Sequence, residues 1–295
     1  MSEHVPETDL REFLRTRRAR ITPEQAGLPR RLGVRRVPGL RREEVARLAG
    51  VSVDYYIRLE RGRGASVSAS VLEAVARVLQ LDDIERQHLF ALAKPSRQRP
   101  RAVPLQRARP GLMQALQNIT DIPALLLGHR FDVLAANHLA RALYLGFAAL
   151  PAVQEPNLAR FVFLNDAARD LYVDWSAAAR ETVGVLRLHA SHHPHDPRLA
   201  QLVGDLSVRD ADFRRWWADH NVYQPQHGTK RYNHPLVGEL TLGFEALAPT
   251  GAAGQTLALH PVEAGSPSEN ALRLLASWAT DNSHIDSEQP TRREG

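Results

Sequence analysis

One twenty-residue stretch, Arg42–Arg61, limits what the N-terminal part of this chain can fold into. It reads REEVARLAGVSVDYYIRLER, with apolar residues at helical spacing on both sides of a glycine. Ala46 is small where a second helix would cross the first, and Gly50 tolerates the left-handed backbone of a tight turn. Ser52 stands where the second helix begins and can cap its free amides. The apolar residues expected to close the two helices on each other are Val45, Ala49, Val51, Tyr56 and Leu59. The stretch therefore predicts a helix–turn–helix.

The second helix of this pair carries side chains suited to DNA. A helix–turn–helix places its second helix in the major groove, with the N-terminal residues toward the bases. Arginine can bond guanine through two hydrogen bonds, whereas Asp54 is expected to accept from a cytosine amine or to orient a neighbouring arginine. The residues predicted to contact DNA are Arg42, Ser52, Asp54, Tyr55, Arg58, Arg61 and Arg63. The alternative interpretation is a helical hairpin inside a core.

The distribution of charge favours the DNA-binding interpretation. The net charge is +5, but residues 1–110 carry 23 basic and 13 acidic side chains, whereas residues 111–295 carry 15 and 20. A strongly basic domain is the electrostatic footprint of a polyanion-binding protein. Because this charge is independent of the helix pattern, the two observations together predict double-stranded DNA as a partner.

A proline- and arginine-rich segment divides the chain. Residues 94–110 read KPSRQRPRAVPLQRARP, in which no regular helix or strand pattern survives. We predict a helix–turn–helix domain at 1–93, a linker at 94–110, a second domain at 111–280 and a disordered tail at 281–295. The helices predicted for the first domain, which is all-α, are Asp9–Ile21, Arg41–Ala49, Ser52–Arg61, Ser68–Gln80 and Asp82–Ala93.

The second domain is predicted to be α+β. The short apolar runs PALLLG and FDVLAA are separated by two polar residues, which favours a hairpin. Further strands are predicted at Thr229–Asn233, Gly238–Leu247 and Gln255–Glu263. Helices are predicted at Asn137–Leu145, Asp166–Ser191, Asp196–Leu206, Asp210–Asn221 and Ser268–Ala279. Strands at both ends with helices between them indicate one antiparallel sheet packed by helices.

The N-terminal domain resembles a known class of DNA-binding domain. The helix–turn–helix, the LERGR that follows it and the next amphipathic segment LEAVARVLQL resemble the Cro/lambda-repressor-like, or XRE-type, helix–turn–helix over about residues 10–93. The arginine-rich insert Leu28–Gly39 departs from that pattern. The resemblance implies a sequence-specific transcriptional regulator, and a homodimer because operators of this class are commonly two-fold.

The second domain resembles the ligand-binding domain of MmyB-like transcription regulators. The resemblance rests on DIPALLLGHRFDVLAANHLARALY, NLARFVFLNDAARDLYVDW and HGTKRYNHPLVGELTLGFEAL, and it runs over about residues 111–279. It implies a PAS-like α+β domain with a pocket for a small apolar ligand such as a fatty acid. Aromatic side chains would line the pocket or, alternatively, fill the core. The candidate cations for a carboxylate are Arg160, Arg169, Lys230 and Arg231, which could alternatively be surface charges. The residues predicted to bind the ligand are Arg160, Phe161, Phe163, Tyr172, Trp175, Trp216 and Arg231.

Several kinds of chemistry are not expected. The chain has no cysteine, which excludes disulfides and thiol chemistry. No apolar run is long enough for a membrane helix or a signal peptide, so we expect a cytoplasmic protein without a membrane partner. His189 and His193 have a metal-ligand spacing, but they lie at a predicted helix end, where histidine is favoured without a metal. We therefore expect no metal and no cofactor other than the apolar ligand.

Nucleophile-elbow, phosphate-loop and dinucleotide motifs are also missing from the sequence, so we predict that the protein is not an enzyme. Two alternatives stay open. The second domain could bind another protein instead of a small molecule, or it could be an enzyme domain fused to a DNA-binding domain.

Overall fold

The computed structural model describes residues 6–29, 39–62, 67–93, 106–144 and 156–287. The chain divides into two compact units. Unit 1 comprises Met1–Val103 together with Val183–Gln224, and unit 2 comprises Pro104–Thr182 together with Pro225–Gly295. Each unit therefore consists of two separate segments of the chain, whereas each domain predicted from the sequence is one continuous segment. Residues 94–105 of the predicted linker lie outside the described residues.

The N-terminal part of unit 1 is helical, as predicted. Its helices are α1 (Pro6–Arg20), α2 (Arg42–Leu48), α3 (Val53–Glu60), α4 (Ala69–Val78) and α5 (Asp83–Ala93). Their apolar faces share one core, in which Phe13, Leu14, Tyr56 and Leu72 are fully buried. The basic insert contributes residues 30–38, which lie outside the described residues.

The rest of the chain alternates between helices and strands. The helices are α6 (Pro110–Gln117), α7 (His138–Leu143), α8 (Leu158–Leu164), α9 (Asp166–Leu171), α10 (Trp175–His192), α11 (Pro197–Arg209), α12 (Ala211–Ala218) and α13 (Pro267–Ser287). The strands are β1 (Ala124–Leu127), β2 (Val133–Ala136), β3 (His227–His234), β4 (Gly238–Leu247) and β5 (Thr256–Leu259). Helices α6 and α8 were not predicted from the sequence. Helix α13 continues to Ser287, into the segment predicted as a disordered tail.

Unit 2 is built on one antiparallel sheet with the strand order β2-β1-β5-β4-β3. The predicted hairpin is present, with Leu125 opposite Ala136 and Leu126 opposite Ala135. Tyr232, Leu240 and Leu242 are fully buried, and α7 and α13 pack against each other beside the sheet. The prediction of an all-α N-terminal domain followed by an α+β domain is therefore confirmed.

The prediction of a single long helix at Asp166–Ser191 is wrong, because the helix is interrupted between α9 and α10. Tyr172 forms a β-bridge with Tyr232, and the Val173 amide donates to the Arg231 carbonyl at 3.1 Å. Asp174 then caps α10 by accepting from the Ala177 amide at 2.9 Å. Pairing with β3 therefore satisfies backbone groups that a continuous helix would have used.

Two buried arginines join Val183–Gln224 to the N-terminal helices within unit 1. Arg17 Nη2 donates to the His220 carbonyl at 2.6 Å, and its Nε lies 2.8 Å from Glu85 Oε1. Arg187 Nη1 donates to His220 Nδ1 at 3.0 Å and lies 3.8 Å from Asp9 Oδ1 of α1. Burial lowers the pKa of each arginine to about 10. Burial together with the charge of Arg187 lowers the pKa of His220 to about 3. His220 is therefore neutral and accepts from Arg187.

Candidate DNA-binding surface and ligand-binding unit

The turn between α2 and α3 has the conformation predicted from the sequence. Gly50 has a φ of +69°, the left-handed region that glycine adopts without steric cost. The Val51 amide donates to the Ala46 carbonyl at 3.0 Å and closes the turn. Ser52 caps α3, because its hydroxyl accepts from the Tyr55 amide at 3.1 Å. The outer face of α3 carries exposed side chains.

Most of the side chains predicted to contact DNA lie on that outer face. The exposed side chains on and beside α3 are those of Arg42, Ser52, Val53, Asp54, Arg58 and Arg61. Tyr55 is half-buried, and the Arg58 guanidinium carbon lies 5.9 Å from the centre of its ring. Arg63 lies outside the described residues. The structure thus brings six of the seven predicted DNA-contacting residues onto or beside α3. Five of them lie on α3 or at its ends, and Arg42 lies at the start of α2.

A buried carboxylate holds α3 in place. Glu60 is 1% exposed, and its Oε1 accepts from Arg18 Nη2 and Arg42 Nη2, each at 3.1 Å. Arg18 also donates to the Leu40 carbonyl at 2.8 Å. The hydrogen bond and charge of Glu60 raise the pKa of Arg42. These contacts tie the end of α3 to α1 and to the start of α2. Sequence reasoning missed Glu60, and its one signal is the spacing of four residues from buried Tyr56, which places it on the inner face of the helix.

The predicted ligand-binding aromatic residues of unit 2 pack against each other or against other aromatic rings of that unit. Phe163 and Trp175 meet edge to face with ring centres 6.1 Å apart, and the Trp175 indole donates to the Val162 carbonyl at 2.8 Å. Phe161 lies edge to face against Tyr144 at 5.9 Å. The sixth predicted residue in chain order, Trp216, belongs to α12 and therefore to unit 1.

A polar cluster that the sequence did not reveal is buried among these rings. The Tyr144 hydroxyl lies 3.1 Å from the Tyr232 hydroxyl and 3.3 Å from His260 Nε2. Tyr172 packs against Tyr232 with ring centres 5.4 Å apart. Burial raises the pKa of all three tyrosines, and burial together with the charge of Lys230 lowers the pKa of His260 to about 4. The cluster is therefore uncharged at neutral pH.

The cations predicted to bind a carboxylate have contacts within the protein. The Arg231 side chain is 58% exposed and lies 3.8 Å from Glu239, and Lys230 Nζ lies 2.7 Å from Glu181 Oε2. Arg160 is half-buried beside Asn157, the cap of α8. The Arg169 guanidinium carbon lies 3.6 Å from the centre of the Trp175 ring, so this cation lies against one of the predicted aromatic residues.

A cavity of about 390 Å³ lies elsewhere in unit 2, between α6 and the edge strand β2. Its lining residues are Gln106, Arg107, Ala108, Met113, Arg130, Asp132, Val133, Leu134 and Pro156. None of the residues predicted to bind the ligand lines this cavity. Its described lining combines apolar side chains with two guanidinium groups and one carboxylate.

Comparison with known families agrees with this architecture. The family described as MmyB-like transcription regulator ligand binding domain matches residues 108–275, and the chain belongs to that family. A helix-turn-helix domain family matches residues 9–89. No curated protein matches the chain. The chain therefore combines a helix–turn–helix DNA-binding domain with the ligand-binding domain of a transcription regulator, which confirms both resemblances.

None of the helices in the described parts of the chain combines the length and apolar character that crossing a membrane requires. Within the same residues, no three His, Asp or Glu side chains form a group that could hold a metal ion.

Proposed function

We propose that this protein is a sequence-specific DNA-binding regulator of transcription whose unit 2 senses a small apolar ligand of the fatty-acid class. The observation that carries the DNA-binding half is the outer face of α3, which is exposed, polar and basic while its inner face is locked by Glu60. A rigid helix with an open polar face is what reading a major groove requires. The net positive charge of residues 1–110 supports the same assignment.

The ligand-sensing half is supported by family membership and by the construction of unit 2. Its helices cover a sheet of order β2-β1-β5-β4-β3, which supports the PAS-like description, and it contains a cavity of about 390 Å³. Ligand pockets commonly have volumes of roughly 300–1,000 Å³ and mainly apolar walls. We further propose that the protein acts in the cytoplasm as a homodimer, because a two-fold operator is bound by two copies of one recognition helix.

Selection of DNA from a random library by the purified full chain tests the DNA-binding half. We expect an enriched motif with two related half-sites. Arg58→Ala should weaken binding and relax the base preference at one position of each half-site, by about 1–3 kcal/mol if Arg58 bonds a guanine. Arg77→Ala removes an exposed arginine from α4 and serves as the matched control. Recovery of no preferred sequence would contradict the proposal.

Mass spectrometry of a lipid extract tests the ligand half. The full chain, purified from cells without detergent, should carry a stoichiometric fatty acid or bind one when it is added back. A chain that neither retains nor binds any fatty acid would instead favour a protein-interaction role for unit 2.

A further inference from the structure

We propose that the cavity between α6 and β2 is a binding site for an apolar carboxylic acid, with Arg107 and Arg130 facing the carboxylate. This rests on the proposed function, in that it assigns a place and a head-group chemistry to the ligand of unit 2. The predicted aromatic residues do not line this cavity.

One part of the cavity wall is apolar. Val133 and Leu134 belong to an edge strand whose residues are all half-buried, and the Met113 side chain on α6 is 40% exposed. These side chains face open space in the cavity together with Ala108 and Pro156. An alkyl chain placed there would remove this apolar surface from water at a gain of about 25 cal/mol per Å².

The other part of the wall is cationic. Arg130 is buried, and its Nε donates to Asp132 Oδ2 at 2.8 Å. The same carboxylate accepts from Asn157 Nδ2 at 3.1 Å, so its position is fixed. Arg107 adds a second, exposed guanidinium to the lining. Among the described residues that line the cavity, two guanidinium groups against one carboxylate leave a formal charge of +1, which matches a monoanion.

The cavity is held in shape by hydrogen bonds of its polar wall. Gln106 Oε1 accepts from the His129 amide at 2.9 Å, and its Nε2 donates to the Ala253 carbonyl at 3.0 Å. Gln255 Nε2 donates to the Arg107 carbonyl at 3.0 Å. The backbone that carries Arg107 is therefore fastened to the β1–β2 turn and to the start of β5. A preformed site spends less of its binding energy on ordering loops.

Calorimetric titration of the full chain with dodecanoate and with 1-dodecanol tests the proposal, because the two probes share an alkyl chain and differ in charge. Arg107→Gln removes one cation without burying a new group. Arg109→Gln is the matched control, since Arg109 is also exposed, lies two residues further along and does not line the cavity. Leu134→Trp fills the apolar part.

We expect the unaltered chain to prefer dodecanoate and Arg107→Gln to bind it about tenfold or more weakly, with its affinity for dodecanol unchanged. Arg109→Gln should behave like the unaltered chain, and Leu134→Trp should lose both probes. If dodecanoate binds the unaltered chain but Arg107→Gln and Leu134→Trp bind it equally well, the cavity is not the site, although the proposed function stands. If the unaltered chain binds neither probe, the proposed function fails together with this assignment.

Discussion

Replacing Glu60 by glutamine removes the charge that holds the recognition helix α3 to α1 and α2, while the shape of the side chain is kept. Hydrogen bonds to charged groups contribute roughly 1.5–3 kcal/mol each, and neutral ones roughly 0.5–1.5. The hydrogen bond to Arg18 is nearly buried, so the change from a charged to a neutral acceptor should remove most of the difference between these two contributions. The bond to Arg42 counts for less, because that side chain is 48% exposed and its charge is screened by water. We expect Glu60→Gln to destabilise the helix–turn–helix by about 1.5–2 kcal/mol.

Hydrogen exchange of the α3 amides, read by mass spectrometry, reports this local stability without requiring the whole chain to unfold in one step. A loss of about 2 kcal/mol should speed exchange in α3 about thirtyfold. The control is Glu43→Gln, which removes an exposed carboxylate 3.5 Å from exposed Arg41 and should change exchange by about twofold at most. Equal exchange in the two variants would refute the assignment of Glu60 as the residue that locks α3.

Three further outcomes are expected. Gly50→Val should destabilise unit 1 by about 1–3 kcal/mol in urea unfolding, because valine is strained in the left-handed backbone of this position, where no atom crowds the side chain. Gly50→Asn should destabilise unit 1 clearly less, and equal losses in the two variants would contradict this reason. The pKa of His260 is about 4 when folded, below its value of about 6.5 when unfolded, so the free energy of unfolding should fall by about 3 kcal/mol as the pH drops from 6.5 to 4. Thermal unfolding across that range should show a shallower fall in stability for His260→Gln. An unchanged slope of stability against pH would contradict the burial of His260 as a neutral group. Arg17→Met should destabilise unit 1 by about 3 kcal/mol, because the His220 carbonyl and the Glu85 carboxylate lose a buried donor. A urea midpoint equal to that of the unaltered chain would show that this buried contact contributes little to stability.

The helix–turn–helix could be predicted from the sequence because every determinant of its shape is local. Gly50 provides the turn, Ser52 provides the cap, and the apolar positions recur at helical spacing. The lock formed by Glu60 and Arg18 could not be predicted in the same way. Forty-two residues separate the two side chains, and no periodicity encodes which cation meets a given carboxylate.

Unit 2 shows where local patterns fail. The continuous helix expected through Tyr172 is interrupted because pairing with Tyr232, sixty residues away, supplies hydrogen bonds that the local sequence does not reveal. Helix α8 was missed because its run of buried residues, Phe161–Phe163, lacks the polar positions of an amphipathic helix. Its cap, Asn157, was the available signal, since it accepts from the Arg160 amide at 3.1 Å.

The ligand site that we propose differs from the residues predicted from the sequence, whose role stays a prediction. Bulky aromatic residues suggested a pocket wall, but such residues fill cores at least as often, and here Phe161, Phe163 and Tyr172 each pack against another aromatic ring. The cavity lies instead beside β2, where α6 begins within one residue of the end of the predicted linker. Its cations, Arg107 and Arg130, come from that segment and from the hairpin turn, two places that carry no ligand-binding pattern in the sequence.

The division of the chain bears on how a ligand signal would reach DNA. The boundary between the units falls within α10, so one continuous helix contributes its first turns to unit 2 and its last turns to unit 1. Residues that belong to the matched ligand-binding domain thus contact α1 through Arg17 and His220 within unit 1. This continuity of the chain motivates the hypothesis that ligand binding in unit 2 changes the DNA affinity of unit 1.

The most direct test of a ligand-responsive regulator is the affinity of the full chain for its selected operator, measured by fluorescence anisotropy with and without saturating dodecanoate at constant salt. Coupling free energies between sites are typically about 1–3 kcal/mol, so a change of at least fivefold is predicted. Arg107→Gln, at dodecanoate concentrations that saturate only the unaltered chain, should show a smaller change. Equal operator affinities with and without bound dodecanoate would contradict ligand-responsive regulation by this class of ligand.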